Sequence, residues 1–94
     1  MKARLRYSFK QSYDDGAALE MVLWEVPRPV AGSEHPYKYR LYYGYPGRRM
    51  VGYDNDAGKG DHRHLEGMES DYVFISVEKL VEDFLADVKA RRAE

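Results

Sequence analysis

The chain contains no cysteine. That excludes a disulfide framework, a thiolate metal site and a cysteine nucleophile, and it makes a reducing cytosol the expected compartment. Long hydrophobic runs are missing as well. No segment approaches the roughly 20 apolar residues of a membrane helix, and no apolar run follows the basic residues of MKARLRYSFKQSY as an export signal would require. The expectation is a cytoplasmic protein with no membrane partner. Repeats and low-complexity tracts are also lacking. Net charge is only -1, but the average hides an asymmetry: residues 1–50 hold nine Lys or Arg against five Asp or Glu, and residues 51–94 hold six against eleven. The halves are therefore +4 and -5. A basic half can meet phosphates, and an acidic half can meet a basic partner protein.

What is present describes a small folded domain. With 94 residues, 44% hydrophobic and 14% aromatic including nine Tyr, the chain suffices for a single core and a single domain over 1–94. Residues 2–9 alternate Leu5, Tyr7 and Phe9 with Arg4, Arg6 and Ser8, the period of a strand with one wet, basic face. Asp14, Asp15 and Gly16 signal a turn. ALEMVLWEV (18–26) is apolar on both faces, as a central strand would be, and Pro27 ends it. PRPVAGSEHP (27–36) has three Pro and no period; His35 within it is assigned no role. YKYRLYYG (37–44) alternates Tyr37, Tyr39, Leu41 and Tyr43 with Lys38 and Arg40, GYPG (44–47) turns the chain, and RRMVGYD (48–54) returns. YVFI (72–75) has the composition of a short fifth strand.

The last quarter changes period. Val77, Leu80, Val81, Phe84, Leu85 and Val88 form one helical stripe, with Ser76 as N-cap, Glu78 in the first turn and Lys89, Arg91 and Arg92 near the end. The predicted fold is α+β: a four- to five-stranded antiparallel sheet with one C-terminal helix packed on one face.

One stretch follows neither period. YDNDAGKGDHRH (53–64) offers little to a core, and it concentrates Asp, Gly and His around Lys59. A P-loop is excluded, because Gly52 to Gly58 is one residue too long and no hydroxyl follows the Lys to hold magnesium. A calcium loop starting at Asp54 is excluded too: its glycine falls at position five, and its twelfth position is Leu65. His62 and His64 remain. If the segment is extended they share a side, about 7 Å apart, and two imidazoles can divide acid and base roles near neutral pH. Lys59, between two glycines, could reach a phosphate. These are the parts of a metal-independent ribonuclease: a base for the 2′-hydroxyl, an acid for the leaving oxygen and a cation for the phosphoryl charge. Two other readings stay open. His62 and His64 could hold a divalent metal with Asp61 or Asp54, or the stretch could be a polar loop bonded to itself and to backbone.

DDGAALEMVLWEVPRPVAGSEHPYKYRLYYGYPGRRMVGYDNDAGKGDHRH, together with DYVFISVEKLVEDFLADV, closely resembles the TumE family of small bacterial proteins, described as toxins of toxin-antitoxin pairs. The likeness runs from about residue 7 to 88, and Gly-Lys-Gly-Asp-His-x-His is its most specific part. It implies a cytoplasmic toxin neutralised by direct contact with a helix-turn-helix antitoxin; it supplies no mechanism. The candidate catalytic set is Lys59, His62 and His64. Arg4, Arg6, Lys38, Arg40, Asp61 and Arg63 are candidate substrate contacts, with Lys10, Arg48 and Arg49 as further cations for an RNA backbone, and no resident cofactor is expected. The competing class is a non-enzymatic binding protein that blocks a cellular target or works only in complex with its helix-turn-helix partner, its loop serving as a recognition surface.

Overall fold

A computed structural model describes residues 2–56 and 58–93. Six strands form one antiparallel meander in which every strand pairs with its sequence neighbours: β1 (Arg4–Ser12), β2 (Ala18–Glu25), β3 (Tyr37–Tyr45), β4 (Arg48–Asp54), β5 (His62–Leu65) and β6 (Met68–Asp71). The helix α1 (Val77–Arg92) covers one face and lies closest to β4. The α+β class and the helix on one face are as predicted; the sheet has six strands. The difference lies after residue 54. Residues 72–75 are not a strand but an irregular connection to the helix, whereas His62 to Asp71 form a hairpin turning at Glu66 and Gly67, both with positive φ.

Alternation sorts the side chains. Leu19, Met21 and Leu23 of β2, Tyr39, Leu41 and Tyr43 of β3, and Val51 and Tyr53 of β4 are buried against Leu80, Phe84 and Val88 of the helix. The N-cap is Ser76, whose Oγ accepts the Lys79 amide at 3.1 Å. Of the six apolar residues of the helical stripe, Leu85 stays 41% exposed, because the helix stops short of β1. A register shift between Leu5 and Tyr7 also breaks the predicted alternation of β1. It sets Leu5 opposite Trp24 on the uncovered face, while Tyr7 and Phe9 stand opposite Leu23 and Met21 on the helix face.

The stretch that promised little core supplies two buried side chains, Tyr53 and Asn55, besides the buried Gly60; its Ala57 lies outside the described residues. Asn55 stands in for a strand residue after β4 has ended. Its Oδ1 accepts the Tyr39 amide at 3.0 Å, and its Nδ2 donates to the Tyr37 carbonyl at 2.7 Å and to Ser33 Oγ at 3.1 Å. A fully buried amide with every bond made is worth little net, but it costs its partners heavily when removed.

At the start of the helix, Tyr72 donates to Asp83 at 2.7 Å and Lys79 pairs with the same carboxylate at 3.0 Å. Burial opposes ionisation of Asp83, but the Tyr72 hydroxyl and Lys79 ammonium outweigh it and hold its carboxyl below the ordinary 3.8.

Two expectations follow from these contacts. Asn55→Leu should cost about 2 to 5 kcal/mol in urea unfolding, since at least two backbone groups lose their partners inside the core. Asp83 has a depressed folded pKa, so its contribution is present above 3.8 and lost as pH falls through the lower folded value. The stability difference between the native chain and Asp83→Asn should therefore be constant above about pH 5 and shrink below 3.8, as acid-titrated urea melts will read.

Candidate functional site

The Gly-Lys-Gly turn is shaped by another loop. A side chain on Gly32 would collide with the Gly60 amide nitrogen, and one on Gly60 would meet the Gly32 carbonyl oxygen at 3.1 Å. The backbones of residues 27–36 and of the turn touch at this point, and both glycines have positive φ, 87° and 92°. The close approach these glycines permit is thus to Gly32. Lys59 is left exposed at the tip.

Asp61 fixes the next residue of the turn. Its carboxylate accepts from Ser33 Oγ at 2.6 Å, from His35 Nε2 at 2.7 Å and from the Tyr39 hydroxyl at 2.7 Å. His35, to which the sequence assigned nothing, is held at both nitrogens. Its Nδ1 accepts the Tyr37 amide at 3.2 Å, so Nε2 carries the proton given to Asp61, and Phe74 stacks on the ring at 3.7 Å. Burial and then the Asp61 contact push the Tyr39 hydroxyl far above its usual range. Ser33, His35 and Asp61 do not form a nucleophile and base, because hydroxyl and imidazole both address the carboxylate.

From Asp61 the chain enters β5, and its alternation divides the candidates. Arg63 lies on the helix face, where its guanidinium donates to both oxygens of Asp87 at 3.0 and 2.8 Å and Tyr53 donates to the same carboxylate. Asp61 and Arg63 are thus held on the covered side, away from any ligand on the open face. Burial, then Asp87, raises the Tyr53 hydroxyl above its ordinary range.

His62 and His64 project from the other side of β5, onto the face without a helix. Each is 15% exposed, lodged between the neighbouring strands. His62 Nε2 lies 3.0 Å from the Lys59 carbonyl, which can only accept, so that nitrogen carries a proton and Nδ1 is free. Nδ1 is buried and lacks a hydrogen-bond partner among the described residues. Glu69, which the sequence did not single out, pairs across the hairpin with His64 and sets its Oε1 between the two rings, 3.6 Å from His62 Nδ1 and 3.7 Å from His64 Nε2. Asp54 Oδ2 is 3.7 Å from His64 Nε2 and Asp71 Oδ1 is 3.7 Å from His62 Nδ1. Glu69 escaped notice because the hairpin that places it was not legible.

Strand order decides which cations share this face. Arg40 and Asp54 pair across β3 and β4, and Arg40 bonds Asp56 at 2.7 Å. Arg49 lies over Gly52, the residue opposite His64. Lys38 is exposed on the same face, opposite Trp24. Arg4 and Arg6 are on β1, four strand spacings or about 19 Å from β5. Arg6 and Lys10 are occupied by Glu25 at 3.4 Å and Glu20 at 3.3 Å. For a metal, Asp61 is turned away, and the described residues contain no group of three or more His, Asp or Glu placed to hold an ion.

The molecule is a one-helix antiparallel meander with a histidine and carboxylate array on its open face. A family model described as Toxin TumE matches residues 2–92, and the chain belongs to that family. Comparison with curated proteins and with solved structures returned no significant match. No described helix is long and apolar enough to cross a membrane.

The division of β5 gives a stability test. Asp61→Ala leaves the buried His35 and Tyr39 donors unpaired and should lower the thermal midpoint by about 10 °C or more. His62→Ala and His64→Ala, on the open face, should each move it by no more than about 4 °C. Differential scanning calorimetry reads both.

Proposed function

We propose that the chain is the toxin of a type II toxin-antitoxin pair and that it cleaves RNA by acid–base chemistry at His62 and His64 on the open sheet face. The observation that carries this reading is the side-by-side placement of the two imidazoles with the Glu69 carboxylate between them. One imidazole takes the proton of a 2′-hydroxyl as its oxygen attacks phosphorus. The other gives a proton to the departing 5′-oxygen, leaving a 2′,3′-cyclic phosphate and a free 5′-hydroxyl. Glu69, lying between the rings, balances the charge that passes between them. Lys59, exposed on the turn beside His62, and Arg49 and Lys38 on the open face supply positive charge that offsets the repulsion of a phosphate by Asp54, Glu69 and Asp71, whereas Arg40 is already paired with Asp56. Asp71 is 96% exposed and Glu69 50%, so water weakens their repulsion. A protein antitoxin and RNA are the partners, in the cytoplasm, with no resident metal required.

Induction of the lone gene should arrest growth, and His62→Ala or His64→Ala should relieve it, with purified variants about 100-fold to 10,000-fold slower on RNA. Cleavage should persist in EDTA and yield cyclic phosphate ends; loss in EDTA with recovery on a divalent ion would instead mean metal chemistry. If both alanine variants remain fully toxic at native abundance, the toxin acts by some other surface.

A further inference from the structure

The edge strand β1 is exposed along all nine residues, although Tyr7 and Phe9 face the helix side and are large and apolar. They remain 41% and 40% exposed. Between them and the helix runs a groove floored by Leu19 and Met21 and walled by Leu85 and Val88. On the opposite face the register shift leaves Leu5 beside Trp24, both exposed. The strand thus presents three unused features together: an outward row of main-chain donors and acceptors, apolar side chains on both faces and an apolar groove alongside. A helix in the groove would use the last alone. An extended segment uses all three, its backbone pairing with β1 and its side chains covering Tyr7 and Phe9.

Charge selects what that segment is. Residues Arg4–Ser12 carry Arg4, Arg6 and Lys10 and no acidic residue; Arg6 and Lys10 pair with Glu25 and Glu20 of β2, so the excess positive charge along this edge is that of Arg4 and of Lys89, which borders the groove. Pairing β1 with β1 of a second copy would set these cations against their equivalents, which is how edge strands commonly avoid self-association. Pairing β1 with the acidic β6 of a second copy satisfies charge but covers only four of nine residues, and head-to-tail contacts of that kind extend into open filaments. An RNA strand meets the charge but leaves the apolar groove and the amide row unused. We infer that β1 receives an extended, acidic segment with alternating apolar residues from a partner protein, which adds a seventh strand to the sheet. This surface lies across the sheet from the histidines and does not depend on the RNA reading.

The test uses the whole chain and a capped nine-residue peptide alternating glutamate with valine and leucine, alongside its lysine counterpart. The glutamate peptide should bind and slow amide hydrogen exchange in β1, with the lysine peptide at least about tenfold weaker. Arg4→Glu combined with Lys89→Glu should reverse that preference. Phe9→Gln, at a half-exposed position that the fold tolerates, should weaken binding by about tenfold, while His62→Ala should bind as the native chain does. Equal binding of the two peptides, or binding without protection of β1, would overturn the proposal. So would displacement of the peptide by a single-stranded uridine dodecamer, or protection of β1 that rises with protein concentration alone and tracks a dimer in sedimentation.

Discussion

Three hydrogen bonds to one carboxylate hold the functional face in place. Asp61 stands where the Gly-Lys-Gly turn becomes β5, and it ties that point to Ser33 and His35 in the Pro-rich loop and to Tyr39 in the core of β3. Its own carbonyl accepts the Tyr72 amide at 3.0 Å, which secures the connection leading to the helix. A charge this buried is costly unless fully bonded, so the group acts as a junction that forms only when both loops have arrived. The glycine contact between residues 32 and 60 brings the backbones close enough for this, and Asn55 closes the same junction from the side of β4. The position and tilt of β5, and with it the direction of His62 and His64, depend on this junction. The two imidazoles are on the open face, but their geometry is set on the other side of the sheet.

The elements governed by a single period were legible. The helix, its Ser76 cap, β3 and β4 follow from spacing, because burial of one face imposes that spacing wherever the element is long enough; β1, whose alternation a register shift breaks, has no buried residue. The β5 and β6 hairpin was not. Its strands are four residues each, β6 reads MESD and is exposed at every position, and its turn uses Glu66 where Asn or Asp would have signalled positive φ. Tyr72 to Ile75 carried the composition of a strand, but Val73 and Ile75 are exposed and only Phe74 and Tyr72 pack inward, stacked on His35 and bonded to Asp83. Apolar content without a pairing partner does not make a strand.

The candidate site divided in the same way. His62 and His64 could be placed on one side of an extended segment from their separation, and they share the open face. Lys59, Asp61 and Arg63 are just as polar in sequence, yet one is at a turn tip and two are held in ion pairs or hydrogen bonds on the covered side. Residue type does not reveal this; the pairing of Tyr53 with Arg63 does, since it fixes which face each position of β5 occupies. His35 shows the converse, an imidazole with no period to recommend it that became essential to packing through a carboxylate 26 residues away.

The four residues HRHL therefore face two environments separated by one step of a strand. Arg63 and Leu65 serve the core side, where the Asp87 carboxylate of the helix accepts from both the Arg63 guanidinium and the Tyr53 hydroxyl of β4. His62 and His64 serve the open side, with Glu69 between them. A slip of one residue in the pairing of β5 would bury the imidazoles against the helix and expose the arginine. The bidentate bond from Arg63 to Asp87 and the three bonds at Asp61 both oppose that slip, from opposite sides of His62. What fixes the register is thus a set of short hydrogen bonds, whereas the contacts among the histidines and their carboxylates are longer than hydrogen bonds, and the Glu69 carboxylate between the rings is half exposed. The strand is thereby fixed by short bonds, while the two rings above it are held to their carboxylates only by long contacts.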